Sequence, residues 1–148
     1  MRFHIENSEV DHLKDKEYIR NILPHRDPIL LVDGIIDEEQ DLIIAYRDIK
    51  EEDPVFKGHF PDYKIYPGVY IIEGFAQTAG LMLLKKKGKT PLFLGIQNAK
   101  FRSEVKPGDK LVYLVQKQRE KMGIVFLSCS ATVDDTVVAT ANISVGVK

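Results

Sequence analysis

Apolar and polar positions alternate along this chain with two different periods. In residues 15–23 the apolar side chains are Tyr18, Ile19, Ile22 and Leu23. That i, i+1, i+4, i+5 spacing predicts a short helix, ended by Pro24. Residues 29–32 form an apolar run, followed by Gly34, Ile35 and Ile36. The acidic stretch 37–41 reads as a turn and 42–49 as a returning strand, so the two predict a hairpin. Residues 53–68 hold Pro54, Gly58, Pro61, Pro67 and Gly68. Such density breaks regular structure and predicts a long ordered loop, which in a compact domain usually carries function.

Residues 69–87 read as one long helix. As far as Leu84 they are apolar or small almost all round, and Glu73 is the only carboxylate. A helix that is apolar on every side is buried inside a domain or an interface. It runs into Lys85-Lys86-Lys87-Gly88, where lysines complement the C-terminal dipole and the glycine suits a C′ position. Four strands are predicted beyond it: 92–101, 110–119, 124–133 and 136–147. They are separated by Lys106-Pro107-Gly108-Asp109, residues 120–123, and Asp134-Asp135, each with turn chemistry. Strands in runs around one apolar helix predict an α+β fold with an antiparallel sheet wrapped around that helix. One domain over residues 1–148 is expected, and the second flank of the helix calls for a partner subunit.

Composition adds bounds. The chain has 148 residues, 44% hydrophobic and 29% charged, with a formal net charge of −1. The usual basic excess of a nucleic-acid binder is lacking. One cysteine, Cys129, forbids an intrachain disulfide and reads as a buried structural thiol. There is no signal-peptide h-region in residues 1–11 and no apolar stretch of about eighteen residues, so no membrane contact and a cytoplasmic location are expected. The four histidines show no metal-ligand spacing.

Two segments carry candidate chemistry: Gly58-His59-Phe60-Pro61 in the loop, and Pro67-Gly68-Val69-Tyr70-Ile71-Ile72-Glu73 entering the helix. His59 can take or give a proton near neutrality. Glu73 falls in the second turn, about 7.5 Å beyond Gly68 along the axis. Burial there favours the protonated carboxyl, as a general acid requires. Gly68 would stand at the helix N-terminus, where unpaired N–H groups and the dipole can polarise a carbonyl oxygen. Base, acid and oxyanion site are what β-elimination from a 3-hydroxyacyl thioester needs. Periodicity alone leaves open whether these groups meet.

The residues Leu23-Pro24-His25-Arg26-Asp27-Pro28-Ile29-Leu30-Leu31-Val32-Asp33 resemble the opening of the 3-hydroxyacyl-acyl-carrier-protein dehydratases of type II fatty acid synthesis. Gly58-His59-Phe60-Pro61, Pro67-Gly68-Val69 and Ile72-Glu73-Gly74-Phe75-Ala76-Gln77 resemble their active-site signature. Phe101-Arg102 with Val105-Lys106-Pro107-Gly108-Asp109 resembles a third block. The resemblance implies a hot-dog fold and a homodimer with sites at the interface, often a trimer of dimers. It implies that His59 and Glu73 are the catalytic pair, contributed across the dimer, that the Gly68 N–H binds the thioester carbonyl, and that Gln77 supports Glu73. Acyl carrier protein is the implied partner, and neither metal nor organic cofactor is expected. The chain departs from the family pattern at Asp27, at Asp62-Tyr63-Lys64-Ile65 and at Gly74-Phe75; none of these is an acid–base group.

Other residues are read more plainly. His25 with Arg26 reads as a hydrogen-bonded structural pair in preference to support for the site. Lys85, Lys86, Lys87, Lys89, Lys100, Arg102 and Lys106 are candidates for a basic rim facing an acidic carrier. Tyr63, Tyr66 and Tyr70 suit either a tunnel lining or packing, and Phe93, Phe101 and Phe126 read as core. Competing functions are a hot-dog thioesterase, a dehydratase that also isomerises the double bond (that type usually carries Asp at the helix position), and a non-catalytic acyl-binding subunit.

Overall fold

A computed structural model describes residues 14–85 and 89–148. Helix α1 spans Lys16–Ile22, and the side chain of Asp15 caps it by accepting from the N–H groups of Glu17 and Tyr18. Strands β1 (Gly34–Glu39) and β2 (Leu42–Asp48) form the expected hairpin, but its turn is shorter than the acidic stretch 37–41, because Asp37, Glu38 and Glu39 pair with Ile44, Ile43 and Leu42. A single 3-10 turn, Pro54–Lys57, interrupts the long loop. Helix α2 spans Gly68–Leu83, and strands β3 (Pro91–Phe101), β4 (Lys110–Lys121), β5 (Ile124–Val133) and β6 (Thr136–Val147) follow.

All six strands join one antiparallel sheet in the order β1-β2-β4-β5-β6-β3. The two-residue turns Met122-Gly123 and Asp134-Asp135 have positive φ at both positions, which matches the twist of the strands they join. Alternate residues of β4 and β5 point inward: Leu111, Tyr113 and Val115, then Val125, Leu127, Cys129 and Ala131. With Ile71, Ile72, Phe75, Ala79 and Leu81 of α2 they make the core. The sheet therefore wraps the central helix, as expected. Cys129 is buried and its thiol is pushed well above the ordinary range by desolvation, so it is chemically quiet.

Three expectations need correction. Residues 29–32 are not strand, although Leu30, Leu31 and Val32 are buried. Their backbone groups bond side chains: Gln77 Nε2 donates to Ile29 O, Arg47 to Leu30 O and Tyr113 to Leu31 O, while Leu31 N donates to Gln77 Oε1. Helix α2 ends at Leu83; of the expected tail, Lys86, Lys87 and Gly88 lie outside the described residues, as do His4 and His12. Phe93 and Phe101 are not core. They are 40% and 52% exposed because β3 is a sheet edge. Phe126 is only partly covered, by the Arg119 guanidinium 3.9 Å from its ring centre.

Candidate active site

The loop before α2 holds His59 by its own backbone. His59 N donates to Val55 O, Phe60 and Tyr63 bond each other, and Ile65 N reaches His59 O. The ring Nδ1 lies 2.8 Å from Ile65 O. A carbonyl can only accept, so Nδ1 carries a proton, and in the neutral ring the lone pair is then on Nε2. That is the tautomer a general base needs. Phe60 stacks on the imidazole at 4.1 Å between centroids.

His59 borders a cleft of about 450 Å³ together with Gly68, Val69, Phe101, Glu104 and Val105. Gly68 opens α2, and among the described residues no side chain caps that end. Its first N–H groups therefore have no intrahelical acceptor. A Cβ on Gly68 would lie 2.7 Å from the Phe101 ring, so only glycine lets β3 close over the helix start. The outcome is an imidazole and a positive helix end in one apolar cleft.

Glu73 does not border this cleft. Its Oε1 accepts from Gln77 Nε2 at 2.9 Å, one turn on. Gln77 is 1% exposed and bonds Ile29 O and Leu31 N as well, so its amide is fully committed. His25 Nε2 stands 3.7 Å from the same Glu73 oxygen. Burial is the main cause of a lowered His25 pKa; Arg26 adds to it and Glu73 opposes it. Within one chain, then, His59 and Gly68 form one cluster, and Glu73, Gln77 and His25 another.

Arg47 escaped attention in the sequence. It is 8% exposed and donates to Leu30 O and to Asp53 Oδ1, tying the segment before β1 to the start of the His59 loop. The signal was present: Ile43, Ala45, Arg47 and Ile49 share the inward phase of a period-two strand. Tyr113 likewise supports Leu31 O. His25 was read as structural. Its neighbour Arg26 does bond the backbone at Leu23, His25 and Arg20, but the ring of His25 turns to Glu73.

The tyrosines divide. Tyr66 is buried at the cleft and meets Tyr70 edge-on. Tyr63 is exposed and donates to Glu104 at 2.5 Å, while neighbouring Lys64 reaches Glu51. Both tie down the loop where the chain departs from the family pattern. Asp27 pairs with Lys16 and Arg20 on α1. Gly74 is needed because a Cβ there would meet the Tyr113 ring at 2.5 Å. Of the basic rim, Lys85 bonds Glu38 and Lys106 bonds Glu104; Lys100 and Arg102 are exposed. No helix among the described residues is long and apolar enough to cross a membrane.

The FabA-like domain model matches residues 23–142. A Thermotoga neapolitana protein named 3-hydroxyacyl-[acyl-carrier-protein] dehydratase FabZ is 58% identical over 132 residues, covering 89% of this chain and 96% of the relative. The protein of that name from Saccharophagus degradans is 43% identical over 138 residues, covering 88% and 95%. Among solved structures, the dehydratase heterocomplex ApeI:P from Xenorhabdus doucetiae superposes with a TM-score of 0.76 at 16% identity, over 86% of this chain and 89% of that one. At that identity it speaks for the fold alone, and the fold is the hot-dog fold.

Proposed function

The chain belongs to the FabA-like family, with the 3-hydroxyacyl-[acyl-carrier-protein] dehydratases, and from that membership we propose how it works. It removes water from 3-hydroxyacyl groups on acyl carrier protein to give trans-2-enoyl thioesters in fatty acid biosynthesis. The observation that carries the mechanism is the His59 contact: Nδ1 lies 2.8 Å from Ile65 O, which leaves Nε2 of the neutral ring to act as a base beside the open end of α2.

His59 Nε2 takes a proton from C2, next to the thioester carbonyl. Charge moves to the carbonyl oxygen, where the Gly68 N–H and the helix dipole stabilise it. As the C2–C3 double bond forms, the C3 hydroxyl leaves, and Glu73 supplies the proton that makes it water. His59 then returns its proton to solvent and Glu73 regains one, closing the cycle.

The catalytic unit is a homodimer in which His59 of one copy works with Glu73 of the other. Two observations support this. The two residues belong to separate half-sites in one chain. Strand β3 leaves an open edge with Leu92, Phe93, Leu94, Ile96 and Phe101 exposed at 40–52%, a surface suited to pairing with a second β3. Assembly into a trimer of dimers and a cytoplasmic setting go with this reading. The whole chain acts as one catalytic domain.

The test is direct. Purified protein is given a 3-hydroxyacyl group on acyl carrier protein, and absorbance of the conjugated enoyl thioester is followed. Reversible interconversion without thiol release is expected. Thiol release from a thioester lacking the 3-hydroxyl would identify a thioesterase instead.

A further inference from the structure

The second half-site contains more than a carboxylate and its supporting amide. Glu73 is approached at one oxygen only. Oε1 receives the Gln77 amide at 2.9 Å and faces His25 Nε2 at 3.7 Å, while among the described residues no donor reaches Oε2. The His25 ring is four-fifths buried, and its Nδ1 is buried with no hydrogen-bond partner among the described residues. A neutral imidazole carries one N–H. Placed on Nδ1 it would be a buried donor with no acceptor, whereas on Nε2 it points to a carboxyl oxygen. The surroundings of the ring therefore put the proton on Nε2.

The backbone keeps the ring where it is. Arg26 Nη1 donates to His25 O at 2.7 Å and to Leu23 O at 2.8 Å, fixing the segment to the end of α1. On the far side, Gln77 bonds Ile29 O and Leu31 N, fixing the same segment to α2. His25 and Glu73 thus sit on two elements cross-tied through Gln77, the residue that also holds Glu73. The 3.7 Å approach is longer than a hydrogen bond, as catalytic contacts often are before substrate draws them in.

We propose that His25 is a positioning residue for Glu73: with Gln77 it holds Oε1, so that Oε2 is the oxygen presented to the departing hydroxyl. A neutral imidazole does this without the fixed charge that Lys or Arg would add beside a proton donor. Burial supports the neutral form, since it lowers the His25 pKa. The inference rests on Glu73 being the acid in the reading above.

The experiment measures kcat and KM for the full chain with His25→Gln, His25→Asn and His25→Phe, each also in a Glu73→Gln background. Gln carries an amide N–H to about the place of Nε2, Asn ends short of it, and Phe keeps the volume without a donor. The expected result is a loss in kcat of about tenfold for Phe and Asn, with KM within about twofold, and recovery by Gln to within about threefold of wild type. In the Glu73→Gln background the same substitutions should change kcat little further. Wild-type kcat in His25→Asn or His25→Phe overturns the proposal, and so does an equal loss with Glu73 already replaced. If His25→Phe does not assemble, the Asn and Gln pair decides. Should Glu73→Gln itself keep wild-type kcat, the acid assignment fails first; should only Glu73→Gln lose activity, the fault lies with His25 alone.

Discussion

At the scale of single residues the proposed mechanism turns on His59 and Glu73 and on what holds them. Replacing His59 by Ala removes the proposed base, and replacing Glu73 by Gln keeps the shape but removes the proposed acid. Each should lower kcat by about 10²- to 10⁴-fold while leaving the oligomer intact. Steady-state kinetics and size-exclusion chromatography check both. His25 has a consequence for stability. Its folded-state pKa lies below the ordinary value of 6.5, chiefly through burial. Above pH 6.5 the ring is neutral whether the chain is folded or not, and it contributes no pH dependence. As pH falls below about 6.5 the unfolded chain takes up a proton first, so stability is lost down to the lowered folded value. Thermal melts from pH 7.5 to 5.5 should show a smaller decline for His25→Gln than for wild type. Equal slopes would mean that the ring pays no desolvation cost. His59 and Glu73 stand out as candidates in the sequence because both lie in compact signatures. The closeness of His25 to Glu73 is not visible there, because they lie 48 positions apart and only the packing of the 25–31 segment on α2 joins them.

At the scale of elements, packing explains what patterning could not. Strands β5 and β6 were readable to their ends, since Asp134-Asp135 tolerates the left-handed backbone of the turn between them. Residues 29–32 look like a strand by composition, yet Gln77, Arg47 and Tyr113 take the backbone groups that a neighbouring strand would have paired. Periodicity counts apolar residues and does not register such side-chain competition. The Gly74 departure also has a packing cause. Tyr113 is fully buried and its hydroxyl donates to Leu31 O, so its ring occupies the space that a Cβ at position 74 would need. Gly74→Ala should destabilise the fold by about 1–3 kcal/mol through overpacking, seen as a lowered midpoint in denaturant. Gly68→Ala forces the Phe101 ring away from the helix start, so its damage should appear in kcat/KM as well as in stability.

At the scale of the whole molecule, one chain holds two separate clusters of candidate residues and an open sheet edge. The phenylalanines of β3 read as core because they are apolar residues in a strand, and in the proposed dimer a second copy covers that strand. Ile96, 52% exposed at the centre of that edge, is the place to test this. Ile96→Asp places charges on both copies where they would meet, and should give a monomer that has lost activity along with assembly, checked by light scattering and the enoyl-thioester assay. A monomer with full activity would place both groups in one chain.

The most direct test of shared sites is complementation between inactive partners. Mixed dimers of His59→Ala and Glu73→Gln chains, purified by two different tags, contain one site with both lesions and one with none if each site draws on both copies. Such dimers should recover about half the wild-type activity per dimer, while each parent stays inactive. If His59 and Glu73 of the same chain worked together, every site would carry one lesion, and mixed dimers as inactive as the parents would contradict the account.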